Sequence, residues 1–406
     1  MFEKIVVRRV SNRNNEMDPG LLAEVLLFYG QVHLLLDRGM FGGLLRTVGA
    51  ANLLRMLRAG YVRATYIREM PVIMTNRARW EMHSPLQIQV GGKDGKKQWG
   101  PEDELKNMLV ETGFSKQQAK RLARQFLTAM PVGKLNNGTP GGPDFSAEFS
   151  EEMRANPDQL SQARLVVDHF LPQQTSAYLT RFRLHEEGPN SFVIDTDLNW
   201  KAAHADCIRI NGPDATFTPA WILGHIHDGF IDLGLAARFG SELLTAELPE
   251  EQVTSRAKQI MQTRLKSENE IANFNQRVLG DAFAVRDAIN NKAKTFSEFL
   301  DLMDKARRFK EMLVGANPDV GLFESYISEV KRDIWLDRLG PKTMRFGLFA
   351  VAGAAIDALA PTGLGTAAGL TLGGFDTFVL DKIVRGWRPN TFVEGRLLPF
   401  VEAKTE

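Results

Sequence analysis

His225, Asp228 and Asp232 fall at i, i+3 and i+7, a spacing that sets an imidazole and two carboxylates on one face of a helix. Such a set can hold a hard or borderline divalent ion, and it defines a candidate metal-dependent hydrolase centre. His227 lies one residue off that face, and His204, Asp206 and Cys207 offer further ligands upstream. The spacing matches no established metal motif, so the competing reading is a polar helix face bonded to the helix that follows. His185-Glu186-Glu187 lacks the second histidine of a zincin and reads as a hairpin turn. The sequence contains no GxxxxGK[ST] phosphate loop, no GxSxG elbow and no GxGxxG placed after a strand. No cofactor is expected.

A second constellation is basic. Arg46, Arg55, Arg58, Arg63, Arg68, Arg77 and Arg79 run with Glu69 as the one acid among them, interleaved with Tyr61, Tyr66 and Trp80. Phosphates want cations and bases want ring faces, so this is the pattern of a nucleic-acid groove. Lys116, Lys120, Arg121 and Arg124 extend it onto a helix-turn-helix-like pair. The alternative is a solvated face whose arginines pair with acids elsewhere.

The third constellation is apolar. Residues 343–385 hold two apolar runs, Phe346 to Ala360 and Leu364 to Leu380, broken by Pro361-Thr362-Gly363. Gly365, Gly369 and Gly373 recur every four residues, which on a helix makes a smooth stripe that a second backbone can approach closely. Asp357 and Asp376 are the acids inside the runs, and both flanks are basic: Lys331, Arg332, Arg338, Lys342 and Arg345 before, Lys382, Arg385, Arg388 and Arg396 after. The pattern predicts a glycine-rich helical hairpin that engages membrane lipid or drives self-association into a homo-oligomer. Asp357 and Asp376 would serve as polar partners or pore-lining groups. The arms are shorter than the roughly 20 apolar residues of a spanning helix, so a shallow or re-entrant hairpin fits better. The competing reading buries the hairpin in the protein core.

These groups need elements to position them. KIVVRRV opens the chain as a short strand, Leu21 to Leu36 has the apolar spacing of a buried helix, and helical character continues from Leu44 to Leu57. Residues 61–75 read as a strand or strand pair, and 91–100 as a solvated loop. Pro101 to Met130 predicts helix, turn and helix, with Gly113 ending the first and Ser115 to Gln118 forming a capping box. A Gly/Pro/Asn-rich linker spans 131–143. Tyr178 to Leu184 and Phe192 to Ile194 predict a β-hairpin with a loop longer than two residues. Thr218 and Pro219 open a helix expected to reach about Thr245, followed by one long helix from Pro249 toward Asn290. Thr295 with Glu298 forms a second capping box, and a helix is expected from Gly321 to Leu339. The tail from Gly386 contains Pro389 and Pro399, so it is expected to pack back on the body without a long helix.

The resulting expectation is a predominantly helical α+β chain of several domains: an N-terminal module over 1–130, the 131–143 linker, a small α+β unit over 144–215, a long-helix bundle over 216–342, the 343–385 hairpin and the tail at 386–406. At 406 residues the chain can bury more than one core. A formal net charge of +1 argues against a global polyanion binder, and a single cysteine excludes an internal disulfide. The first thirty residues lack the plan of a signal peptide. The expected protein is cytoplasmic, peripheral or re-entrant at the inner face of a membrane, and acts as a non-enzymatic, membrane-engaging effector.

Overall fold

The computed structural model describes residues 2–328 and 389–402, less 10–16, 78–80, 90–92, 95–96, 136–144, 156–158, 172–178, 189, 214, 246–254, 281–283 and 315–320. Five strands form a parallel sheet: β1 (Lys4–Val7), β2 (Gln31–Leu36), β3 (Arg63–Ile67), β8 (Val132–Gly133) and β11 (Glu242–Leu244), in the order β11-β1-β2-β3-β8. The chain starts in the middle, steps outward to β8, and returns on the far side of β1. The strand order therefore reverses between β1 and β11.

Both faces of this sheet are covered, which is what a parallel sheet with helical crossovers requires. Ile5, Val7, Leu34, Leu36, Ala64 and Tyr66 point into the larger core, under α1 (Pro19–Phe28), α2 (Arg38–Thr47), α3 (Ala50–Arg58), α4 (Pro101–Glu111) and α5 (Lys116–Ala129). Val6, Leu35, Ile67 and Leu243 point the other way, against Ile231, Leu235 and Ala236 of a 21-residue helix, Pro219–Phe239. Phe145, at the start of α6 (Phe145–Ala155), fills the gap between that helix and the sheet.

A second, antiparallel sheet has the order β4-β5-β10-β9, with β4 at Glu69–Arg77, β5 at Glu81–Gln89, β9 at Phe182–Gly188 and β10 at Ser191–Thr196, while β6 (Lys93–Asp94) and β7 (Lys97–Gln98) pair as a short ribbon within the stretch expected to be a loop. It joins a hairpin from the N-terminal third of the chain to one from the middle. Its inner face packs with α7 (Gln159–Phe170) and the 219–239 helix around Phe149, Phe182, Phe192 and Ile222.

Several expectations are met at the level of local chemistry. Gly113 ends α4 at φ +99°, and both capping boxes form as read, Ser115 with Gln118 and Thr295 with Glu298. Thr218 caps the 219–239 helix through the Trp221 N–H. The tail also packs on the body, Phe392 stacking on Phe309 at 5.0 Å and Phe400 lying 6.4 Å from Phe299. It is nevertheless helical throughout Pro389 to Val401, since Pro389 opens the helix and a π-turn at Val393–Leu397 lies directly before the turn that holds Pro399.

Others are corrected. Leu21 to Leu36 is not one helix, because α1 stops at Phe28 and QVHLLL becomes β2, buried on both faces. A doubly buried strand has no alternation, so its apolar run resembles a helix. The 219–239 helix ends at Gly240, in the left-handed region at φ +55°, and Glu242–Leu244 pairs with β1 instead of continuing it. The long helix after Pro249 is seen as Ser255–Phe274, running into a π-turn at Asn275–Leu279 and stopping at Gly280, φ +62°. Val132–Gly133, inside the expected linker, is an edge strand. His185 to Gly188, expected in the hairpin loop, belong to β9 and pair as far as Ser191, with Asn190 at φ +54°. Asparagine tolerates that conformation because its short side chain bonds locally.

Candidate functional site at the carboxyl edge of the parallel sheet

The first polar residues after β1 are Arg8 and Arg9, after β2 Asp37, and after β3 Arg68 and Glu69. A parallel sheet brings all these chain ends to one edge. In open α/β sheets ligands bind there, at the point where strand order reverses. The 219–239 helix crosses beside this edge and β4 rises from it. Between them lies a cavity of about 560 Å³. Its ionisable lining is Arg8, Arg9, Asp37, Glu69, His225 and Asp228, and its apolar walls include Leu35, Ile67, Leu135 and Trp221.

The cavity floor is a closed charge network. The Arg8 guanidinium donates to Asp228 Oδ1 at 2.6 Å and to Asp232 Oδ1, and Arg9 donates to Asp228 Oδ2 at 2.8 Å. Thr245 Oγ1, just past β11, donates to Asp232 Oδ2 at 2.7 Å. The network thus ties both strands flanking the reversal point to the helix. Asp232 is 1% exposed and Arg8 7%. Burial pushes the Asp232 carboxyl up, and the charge of Asp228 adds to that against the pull of Arg8. Burial also acts to raise Asp228, but Arg8 and Arg9 outweigh it and hold that carboxyl below its usual range. Burial works against the charge on Arg8, yet the two aspartates leave its pKa raised.

Asp37 and Glu69 sit on the rim. Asp37 Oδ1 accepts from the Met40 N–H at 2.7 Å and caps α2, while Glu69 Oε2 accepts from the Leu135 N–H at 3.0 Å. Asp18 caps α1 in the same manner and is gripped by Arg286 at 2.6 Å. The two helix N-termini where an α/β fold would seat a phosphate are therefore filled by the chain's own carboxylates. On the helix wall, Trp221 packs 4.1 Å from the His225 ring and 4.3 Å from Phe170.

The sequence-derived trio divides within this setting. His225 and Asp228 line the cavity, whereas Asp232 lies behind it, and both aspartates are engaged by arginine. Among the described residues no group of three His, Cys, Asp or Glu side chains is arranged to hold a metal ion. His227 is buried against Phe149 at 4.6 Å, and His204 Nδ1 accepts from the Phe217 N–H at 3.3 Å. Cys207 is buried in the second core.

The arginines of the basic run do not share one face. Arg55 reaches Asp301 and Asp304 at 2.7 Å each, Arg68 holds buried Glu104 at 2.9 Å, and Arg77 pairs with Glu81 at 3.1 Å. Arg63 and Arg68 stand at opposite ends of β3, and Arg46 and Arg58 are exposed on α2 and at the end of α3. Arg79 lies outside the described residues, as do Gly365, Gly369, Gly373, Asp357 and Asp376. Among the described residues, no helix is long and apolar enough to cross a membrane.

Sequence reasoning passed over Arg8, Arg9, Asp37, Glu69 and Trp221. The signal was present as a charged residue directly after each apolar run, KIVV, QVHLLL and ATYI. It becomes legible only once those runs are known to be parallel strands. Comparison with known proteins finds no matching family model, no similar curated protein and no similar solved structure.

Proposed function

We propose that this chain is a binding protein with two working parts. The first is the cleft at the carboxyl edge of the parallel sheet, which takes a small polar ligand. The observation that carries this reading is the cavity of about 560 Å³, the size of a small-molecule site, where six ionisable side chains converge within apolar walls. The second part is the glycine-rich segment 343–385, which engages a membrane or drives self-association. That half rests on the glycine stripe, the paired apolar runs and their basic flanks.

Pairing of Arg55, Arg68 and Arg77 with acids leaves a nucleic-acid face with fewer available cations, and the Arg8 network competes with any metal for Asp228 and Asp232. Both alternatives are therefore less favoured by the geometry. Thermal-shift measurement across a panel of sugars, nucleosides, amino acids and amines tests the cleft. A midpoint raised by several degrees, with the rise lost in Trp221→Ala and Arg9→Ala, is the expected result. Equal shifts in wild type and both variants would place binding elsewhere.

A further inference from the structure

We infer that the cleft's ligand carries a cationic amine or guanidinium, a step that rests on the cleft being a binding site. Arg8 and Arg9 are matched by Asp228 and Asp232, two charges against two, so that quartet closes on itself. Asp37 and Glu69 stand outside it. Each spends one oxygen on a backbone N–H. Among the described residues neither has a Lys, Arg or His nitrogen within 4.0 Å. Leu36 pairs with Tyr66 across β2 and β3, so the two acids follow neighbouring strand ends and share one rim.

A ligand that fills the cavity must displace water from both carboxylates. A neutral ligand leaves that desolvation uncompensated and an anion adds repulsion, whereas a cation offsets both effects. Trp221 also lines the cavity and supplies an aromatic ring of the kind cations favour. Leu35, Ile67 and Leu135 suit a short methylene stem. The positive end of the 219–239 helix also opens here, but Thr218 already caps it.

The test is calorimetric titration of the full-length chain with agmatine, putrescine and L-arginine, beside AMP, glucose and inorganic phosphate. At least one amine is expected to bind, with affinity reduced tenfold or more in Asp37→Asn and in Glu69→Gln. Asparagine caps a helix as well as aspartate does, and glutamine keeps an acceptor for Leu135, so both variants remove charge while preserving the bonds that fold the rim. Their unliganded melting temperatures should match the wild type. Binding of AMP or phosphate that is lost in Arg9→Ala keeps the cleft as a site but overturns the cationic ligand. Glucose binding indifferent to both charge variants overturns it as well. No binding by any of the six probes removes the cleft reading, and this inference with it.

Discussion

Arg8 is the residue on which the candidate site depends. It is buried, it contacts two carboxylates, and it follows β1 directly, its N–H donating to Leu244 O at 2.9 Å. Replacing it with methionine leaves Asp232 buried without its counter-charge. Loss of one member of a buried pair costs on the order of 3 kcal/mol, so Arg8→Met should lower the urea midpoint well below wild type. Asp232→Asn in the same background should recover part of the loss. A second residue-scale expectation concerns pH. Burial pushes Glu24 up to about 7, against the pull of Arg286 and Arg264. A carboxyl raised on folding adds stability that is complete below its unfolded pKa of about 4.5 and is lost as pH rises through about 7. Glu24→Gln should therefore stabilise the protein at pH 8, by up to about 3 kcal/mol, and flatten the melting-temperature profile between pH 4.5 and 7. An unchanged profile would show that Glu24 is well solvated. Neither residue could be singled out from sequence, because burial of a charge depends on contacts more than 200 positions away.

At the scale of elements, the glycines of the 219–239 helix make two opposite predictions. A Cβ on Gly234 would stand 2.3 Å from the Phe145 ring, which itself packs 4.0 Å beneath the Arg238 guanidinium. A Cβ on Gly224 would meet Ile73 at an ordinary 3.7 Å. Gly234→Ala should destabilise by about 1 to 3 kcal/mol through overpacking. Gly224→Ala should be neutral or stabilise by up to about 1 kcal/mol through helix propensity. Chemical denaturation of the pair checks both signs. Elements defined by neighbouring residues were the legible ones: the caps at Ser115, Thr218 and Thr295, and the stop at Gly113, all follow from bonds within three or four positions. Among elements defined by distant pairing, β1 and the 61–75 strands were readable from their β-branched runs, whereas β2 and β11 were not. β2 and β11 are strands because β1 lies between them, and nothing within QVHLLL or ELL distinguishes a buried strand from a piece of helix.

For the whole molecule, the two sheets meet at one edge, where β3 passes into β4 and the 219–239 helix crosses both. Mixed helix and sheet was readable from composition and turns, but the parallel sheet and the cleft it creates were not, since strand order is a long-range property. The glycine-rich segment 343–385 remains a reading of the sequence. Flotation with anionic liposomes addresses it: the wild type should float and release dye, and changing Gly365, Gly369 and Gly373 to leucine should abolish release. A wild type that stays in solution at low salt would remove the membrane half of the proposal. The most direct test of the central claim is hydrogen exchange with and without a saturating concentration of whichever of agmatine, putrescine and L-arginine binds tightest in calorimetry. Binding in the cleft predicts slowed exchange in residues 68–73 and 218–228, with 101–129 unaffected. Protection confined to 101–129, or absent from both cleft segments while calorimetry shows binding, would contradict it.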